Sequence, residues 1–187
     1  MKGKIAALAI IAILAWVWVY YGSQTTAVST NSDSYELLSK EILNQLNEVR
    51  RQNHLSPFTE NYLLNKAALA HSSDMALNDF FSHTGSDGSD VSDRLFRVGY
   101  RYRICAENII MKDDLGFSGF IVIWFIPIPI PNLPKNDVDL AKELVNSWMN
   151  SPGHKANILN PALREVGIGI ASSGKKLYVT TDFGTRM

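Results

Sequence analysis

The sequence predicts an α+β domain that follows an apolar N-terminal segment. Apolar residues recur at helical spacing in several segments after residue 35, and alternating apolar residues near the C-terminus predict a β-hairpin. Charged residues make up 19% of the chain, and its 18 basic residues balance its 18 acidic ones. No overall field therefore favours nucleic acid as a partner. The single cysteine, Cys105, excludes an intrachain disulfide.

The N-terminal segment predicts a membrane anchor. An apolar run from Ile5 to Tyr21 follows Lys2 and Lys4, and at ~1.5 Å per residue it spans roughly 25 Å of a bilayer core of about 30 Å. The positive-inside rule places the rest of the chain on the extracellular side of the cytoplasmic membrane. The alternative is a signal peptide and a secreted protein, but no small-residue cleavage motif follows. We expect 1–21 to be a transmembrane helix and 22–34 a flexible linker.

Four further helices are predicted from apolar periodicity. The first opens with a capping box formed by Asp33 and Glu36. The second covers about Glu60–Asn78, a short third helix covers about 89–98, and the fourth begins at Asp137 and carries Val138, Ala141, Leu144, Val145 and Trp148 on one face. A histidine, His71, lies on the apolar face of the second helix, and a hydrogen-bonded core histidine is the simpler interpretation there.

The predicted strands contain two unusual features. Tyr100–Ile110 becomes apolar towards its end but contains Glu107, a carboxylate that needs a partner in such a strand. Glu165–Ala171 alternates Val or Ile with glycine, and Leu177–Phe183 returns as the second strand of a hairpin. Glycines within a strand indicate close approach by another group. A helix that packs closely on the sheet is the simpler explanation.

The stretch Leu115–Pro134 carries no charge. Its prolines exclude a helix through the second half and favour an extended path. If the apolar run 121–126 were exposed, it would form a patch too large to be incidental on a soluble monomer. We therefore expect this loop to be covered by its own domain, by a partner or by membrane lipid.

Four motifs in this order resemble the CAP superfamily, the cysteine-rich secretory, antigen 5 and pathogenesis-related proteins, whose domain is also called SCP. They are F-F-S-H-T-G at 80–85, A-E-N-I at 106–109, W-M-N-S-P-G-H-K-A-N-I-L at 148–159, and the closing G-I-G-I…Y-V-T-T-D-F-G. The resemblance is to the compact prokaryotic branch, and it identifies 35–187 as one domain with an insertion at about 115–134. It implies an α-β-α sandwich, with a small, mostly antiparallel sheet between helices, and one elongated cleft.

The resemblance also implies a site in that cleft. His83, Glu107 and His154 match residues that line the family's cleft, where the two histidines bind a divalent metal such as Zn²⁺. The family's second glutamate falls on Ser151, so the family's tetrad is incomplete here. Two imidazoles and one carboxylate suit an open zinc site. Alternatively, Glu107 orients one of the histidines without touching the metal.

Ser151 has two possible roles. Ser151 and Pro152 form the start of a short helix, with Ser151 as its N-cap and His154 as its third residue. A Ser151–His154–Glu107 triad would make the chain a hydrolase, although capping gives the hydroxyl another role and no oxyanion hole is identifiable. We expect a non-enzymatic, membrane-tethered extracellular domain that binds a lipid or cell-envelope ligand in its cleft. The alternative is a metal- or serine-dependent hydrolase of envelope peptide or glycan.

Overall fold

The computed structural model describes residues 35–113, 116–123, 126–134 and 136–187. The predicted anchor 1–21 and linker 22–34 lie outside these residues. Among the helices that the structure describes, none is long and apolar enough to cross a membrane.

In the described chain, five helices surround a four-stranded sheet. The helices are α1 (Glu36–Gln52), α2 (Tyr62–Asn78), α3 (Val91–Arg97), α4 (Asp137–Met149) and α5 (Pro152–Ile158). The strands are β1 (Thr59–Glu60), β2 (Tyr102–Asp113), β3 (Gly116–Ile123), β4 (Ile126–Pro134), β5 (Glu165–Ser173) and β6 (Lys176–Arg186). The central sheet has the order β1-β5-β6-β2, in which only the short β1 runs parallel to its neighbour. The predicted α+β class is confirmed.

Helices pack on both faces of this sheet because β5 and β6 alternate their side chains. One face of the two strands packs against apolar residues of α1, α4 and α5, including Leu46, Leu144 and Ile158. The opposite face packs against α2, where Met75 and Ala76 contact Ala171 and Tyr178. The smaller α3 adds Leu95 to a cluster with α2 on that side.

Two glycines let α2 lie directly on β5. A Cβ atom on Gly167 would lie 2.0 Å from the backbone carbon of Leu64, and one on Gly169 would lie 2.0 Å from the backbone nitrogen of Leu69. Any side chain at these positions would collide with helix backbone that cannot move aside. Close helix packing therefore explains the alternating glycines, as predicted from the sequence.

Two local predictions were wrong. Helix α1 begins at Glu36, with Tyr35 as an N-cap that makes no side-chain capping bond, and Glu36 instead pairs with Lys40 at 2.5 Å. The capping box would need Glu36 at the third helical position, and Asp33 lies outside the described residues. In α4, Val138 is 53% exposed whereas Leu140 is buried, because Leu140 lies one turn before the core residue Leu144.

The uncharged stretch forms a hairpin of its own. Strands β3 and β4 pair antiparallel in a two-stranded sheet that is separate from the central one. The predicted extended path is confirmed for the backbone. Residues 124–125, which connect the two strands, lie outside the described residues.

Candidate functional site

Glu107 lies at the centre of the candidate site. It belongs to β2, the last strand of the central sheet, and its side chain is only 3% exposed. His83 Nδ1 donates a hydrogen bond to Glu107 Oε1 at 2.7 Å, and Arg94 Nη2 donates to Oε2 at 2.5 Å. The carboxylate thus has the partners that its position in an apolar strand requires.

Arg94 joins the carboxylate to the loop that carries His83. It lies on α3, which begins with a capping box between Asp90 and Asp93. Besides its bond to Glu107, Arg94 Nη1 donates to the backbone oxygens of His83 (3.2 Å) and Ser89 (2.9 Å). The buried guanidinium therefore fixes both the carboxylate and the loop, and so sets where the His83 ring lies.

A second buried carboxyl group lies beside Glu107. Asp182 is its direct partner across the β2–β6 ladder and is fully buried. Among the side chains that the structure describes, neither oxygen of Asp182 has a hydrogen-bond partner. Burial and the neighbouring Glu107 charge raise the pKa of Asp182 well above its usual value. Burial also raises the pKa of Glu107, but the bond from His83 and the charge of Arg94 outweigh it and lower the pKa overall.

His71 supports this cluster from α2. It is buried, and its Nε2 lies 2.9 Å from the backbone oxygen of Ser82 and 4.0 Å from Glu107 Oε2. A carbonyl oxygen only accepts, so Nε2 carries the proton. Burial lowers the pKa of His71 and favours the neutral ring. The prediction of a hydrogen-bonded core histidine is confirmed.

His154 approaches from the opposite face of β2. Asn108 Nδ2 donates to the backbone oxygen of His154 at 3.1 Å, and Asn157 Nδ2 donates to Asn108 Oδ1 at 2.9 Å. These amide bonds hold α5 against the strand and place the His154 ring 6.4 Å from the His83 ring, measured between centroids. Burial, and secondarily the charge of His83, lower the pKa of His154.

Ser151 occupies its predicted position but not its predicted role. It is the N-cap residue of α5 and Pro152 is the first helical residue, yet the Ser151 side chain makes no capping bond. The triad is not assembled either. Its carboxylate, Glu107, bonds to His83, and no hydrogen bond described in the structure joins Ser151 to His154.

The side chains fit an open metal site with two histidine ligands better than a site in which the protein fills every position on the ion. In the part of the chain that the structure describes, no group of three or more His, Cys, Asp or Glu residues could hold an ion. Because the His83 Nδ1 proton is directed at Glu107, the neutral ring offers Nε2 as a ligand atom. Glu107 then has the orienting role that carboxylates have behind zinc-bound histidines. With His154 as the second ligand, the remaining positions on an ion would be open.

Sequence reasoning missed the roles of Arg94 and Asp182. It also missed the two asparagines that hold α5 against β2, Asn108 and Asn157. Arg94 lies on a short amphipathic helix and gave no signal. Asp182, in contrast, is a carboxylate within the predicted strand Leu177–Phe183, as Glu107 is within its own strand. The rule that a carboxylate in such a strand needs a partner could have found it.

A family model and two proteins of Bacillus subtilis match most of this chain. The model of the cysteine-rich secretory protein family, CAP, matches residues 43–183. Protein YkwD of Bacillus subtilis is 27% identical over 150 residues, which are 80% of this chain and 48% of YkwD. The B. subtilis membrane protein YlbC is 26% identical over 144 residues, which are 77% of this chain and 33% of YlbC. The chain thus spans half or less of the length of these two relatives.

Solved structures show the same fold at lower identity. An extracellular SCP-domain protein from Bacillus anthracis superposes with a TM-score of 0.59 at 23% identity, over 80% of this chain and 40% of that one. An outer surface protein from Borrelia burgdorferi gives 0.63 at 18% identity, over 82% and 96%. NaASP2, solved with Zn²⁺, gives 0.55 at 13% identity, over 81% of both chains.

Proposed function

Because the chain belongs to the CAP family, we propose that it is an extracellular binding domain tethered to the outer side of the cytoplasmic membrane. Its cleft binds a divalent metal, with Zn²⁺ as the first candidate, together with a lipid or cell-envelope ligand. The names of its relatives support the location, since they include an extracellular, an outer surface and a membrane protein. The apolar run before residue 22 supports the tether.

One observation carries the metal proposal: His83 is oriented by Glu107, and its ring lies beside the ring of His154. The 2.7 Å bond fixes the His83 ring, and the 6.4 Å separation between centroids leaves room for an ion between the two rings. Each zinc–nitrogen bond needs about 2.0–2.1 Å. When bound, the ion would supply a positive centre with open positions for an anionic or carbonyl oxygen of the ligand. The distant relative NaASP2 was solved with Zn²⁺, and this is why Zn²⁺ is the first candidate ion.

Binding is favoured over hydrolysis because the groups for serine catalysis are not in place. A nucleophile needs a base within hydrogen-bond reach that a third group orients. Here the orienting carboxylate, Glu107, serves His83 rather than His154. A metal-dependent hydrolase is the remaining enzymatic alternative, and it would require the same two histidines.

Zinc titration of the full chain in detergent micelles tests the proposal. We expect one weakly bound ion, and we expect His83→Ala or His154→Ala to lower the affinity at least tenfold, about the loss that even an outer-shell change produces. His54→Asn is the matched control, because His54 is exposed in a turn with φ 58°, which asparagine tolerates. Binding that is unchanged in both cleft variants would contradict the metal site.

The tether is tested by the intact mass of the membrane-extracted protein. A mature chain that retains Met1 supports the anchor. A chain that starts near Ala27 or Val28 would show that the segment is a cleaved signal, and the domain would then be secreted.

A further inference from the structure

A pocket with two arginines lies at the end of the central sheet where β2 begins and β6 ends. We propose that this arginine pocket binds the phosphate group of a phosphate ester. Its lining consists of Arg103, Ile104, Ala162, Arg164 and Thr185. None of these residues belongs to the His83–His154 cleft, so the inference goes beyond the proposed function and does not depend on a bound metal.

A β-bulge brings Arg103 to the pocket. Tyr102 pairs with Arg186, and Ile104 pairs with Thr185. Two steps along β2 thus match one step along β6, and Arg103 is the extra residue of the bulge. A bulge changes the direction of the side chains in the strand that carries it. Consecutive residues of a regular strand point to opposite faces, whereas Arg103 and Ile104 line the same pocket.

A second wall of the pocket is the loop 159–164, which internal hydrogen bonds hold in place. The buried guanidinium of Arg50 donates to three backbone oxygens in and beside this loop. They belong to Ile158, Asn160 and Leu163, at 2.7, 3.1 and 3.2 Å. Thr185 Oγ1 donates to the backbone oxygen of Ala162 at 2.6 Å and so ties the loop to β6. The backbone that carries Arg164 is thus fixed before a ligand arrives, which lowers the entropic cost of binding.

The two arginines of the pocket have no anionic partner among the described residues. Arg103 and Arg164 are exposed, and neither guanidinium forms a hydrogen bond or an ion pair within the part of the chain that the structure describes. The carboxylate next in sequence, Glu165, is engaged elsewhere, since it accepts hydrogen bonds from Asn61 and from the Tyr100 hydroxyl, both at 2.7 Å. Two positive charges that share a pocket repel each other, and a bound anion would remove this repulsion.

The chemistry and the size of the pocket favour a phosphate ester. A guanidinium group presents its N–H donors in a rigid fork that matches two phosphate oxygens at once. Two such groups suit the nearly double charge of a phosphate monoester. The pocket has a volume of about 340 Å³, which is within the range of small-molecule sites and exceeds the need of a bare oxyanion. Ile104 and Ala162 offer apolar surface to the organic part of the ester.

The surroundings of the pocket are also positively charged. Arg101 and Arg186 are exposed at the same end of the sheet, where the backbone N–H of Met187 donates to the Arg101 oxygen. Arg186 lies 3.5 Å from Glu165, whereas the Arg101 guanidinium lies over the Phe96 ring. The chain as a whole has no net charge. Positive charge is therefore concentrated locally, and such a surface attracts anions from solution.

Calorimetric titration of the full chain in detergent micelles with glycerol 3-phosphate tests the inference. The protein is metal-free, so that no ion in the cleft can hold the phosphate, and the buffer is low in salt because exposed charges are screened by salt. We expect one saturable site for glycerol 3-phosphate and no binding of glycerol. Arg103→Gln or Arg164→Gln should lower the affinity at least about tenfold, as the loss of one hydrogen bond between charged groups does. Arg97→Gln is the matched control, because Arg97 is an exposed arginine outside the pocket.

Three results would overturn the site. They are a wild-type chain that does not bind glycerol 3-phosphate, a double variant of Arg103→Gln and Arg164→Gln that binds it fully, and an equal loss in Arg97→Gln. Both pocket arginines are exposed and unpaired within the described residues, so the urea unfolding midpoint should not change. Arg103→Lys keeps the charge without the fork and should bind with intermediate affinity. Wild-type affinity in this variant would contradict the two-oxygen contact.

A second ester identifies the source of the phosphate. Glycerol 3-phosphate is a monoester, as a free small molecule would be, whereas the phosphate of glycerophosphoglycerol links two organic groups, as in a phospholipid headgroup. We expect the monoester to bind more tightly, and tighter binding of the diester would assign the pocket to a headgroup. Zinc titration of Arg103→Gln should match the wild type. A failure of phosphate binding is thereby distinguished from a failure of the metal proposal.

Discussion

Glu107 and Asp182 are directly paired across strands β2 and β6, yet their pKa values are shifted in opposite directions. Glu107 has Arg94 and His83 as hydrogen-bond donors, so its ionised form is stabilised despite burial. No donor described in the structure reaches either oxygen of Asp182. Ionising both of two adjacent buried carboxyl groups costs much free energy, because their negative charges repel each other. The site therefore holds one anion and one neutral carboxylic acid.

The first prediction is that Asp182→Asn stabilises the domain at neutral pH. The pKa of Asp182 is raised in the folded state, whereas the unfolded chain has a value near 3.9. As the pH rises above about 4, the unfolded state loses this proton first, and the folded state binds more protons than the unfolded one. The contribution of Asp182 to the free energy of unfolding therefore falls with rising pH. Asparagine cannot ionise, so Asp182→Asn abolishes this loss. We expect the substitution to raise the free energy of unfolding by about 1–2 kcal/mol at pH 7.

Urea unfolding of the full chain in micelles at pH 4 and pH 7 measures this effect. The advantage of Asp182→Asn should be largest at pH 7 and should nearly vanish at pH 4. Asp113→Asn, which changes an exposed carboxylate at the end of β2, serves as the control. A variant that is less stable than the wild type at pH 7 would show that Asp182 has a favourable partner as an anion.

The second prediction concerns the buried ion pair between Glu107 and Arg94. Glu107→Gln leaves the guanidinium buried without its anion, and we expect it to cost about 3–5 kcal/mol of unfolding free energy. Arg94→Met should also destabilise the domain, because the carboxylate and the loop oxygens lose their donor. The double variant should cost less than the sum of the two single variants, by at least about 1 kcal/mol.

A double-mutant cycle from urea unfolding measures this coupling. Arg97→Met is a matched control on the same helix, since Arg97 forms an exposed pair with Asp87. Strict additivity of Glu107→Gln and Arg94→Met would mean that the 2.5 Å contact contributes nothing to stability.

Sequence patterns could predict the elements of this fold better than their relative positions. The helices, the C-terminal hairpin and the glycine contact with α2 all follow from local periodicity and from residue size. The pairing of Arg94 with Glu107 depends on how α3 lies against β2, which no local pattern encodes. The two-residue strand β1 is likewise made by backbone pairing with β5, and backbone hydrogen bonds leave no trace in side-chain periodicity.

The residues of the candidate site could likewise be predicted from the sequence, but their pairing could not. His83, Glu107 and His154 were found through motifs that resemble a family, and the structure brings their side chains to one end of the sheet. The motifs did not indicate that Glu107 pairs with His83 rather than with His154. That choice depends on which face of β2 each residue occupies. Glu107 and Asn108 lie on opposite faces, and it is Asn108 that holds α5 in place.

The third prediction is a shallow pH dependence of zinc binding. A metal ligand must be a neutral imidazole, and two ordinary histidines with pKa values near 6.5 would lose about a hundredfold in affinity between pH 7.5 and 5.5. The pKa of His154 is lowered by burial and by His83, so His154 stays neutral to lower pH. We expect the loss to be clearly less than a hundredfold. Competition with a fluorescent chelator across this range measures it, and a loss of a hundredfold or more would contradict the lowered pKa of His154.

The fourth prediction compares two glycines. Gly167→Ala places a Cβ atom 2.0 Å from the backbone of α2, and we expect it to cost at least about 3 kcal/mol, because overpacking against backbone has no cheap relaxation. Gly153→Ala is the control. No atom lies within 4 Å of a Cβ atom there, and alanine favours the helix by roughly 0.5–1 kcal/mol. Thermal unfolding should therefore move in opposite directions for the two variants, and a neutral Gly167→Ala would contradict the close approach.

The last prediction is that Ser151 is neither an important cap nor a nucleophile. Its side chain makes no capping bond, so Ser151→Ala should cost less than about 0.5 kcal/mol, below the usual cost of losing a cap. Asn136→Ala is the positive control, because the Asn136 side chain accepts from the backbone N–H of Asp139 at 2.9 Å and its loss should cost about 1 kcal/mol. An uncommitted hydroxyl is free to react, but it lacks an oriented base, since Glu107 holds His83. A serine-reactive fluorophosphonate should therefore leave Ser151 unlabelled. Stoichiometric labelling that disappears in Ser151→Ala would reverse this conclusion and favour the hydrolase.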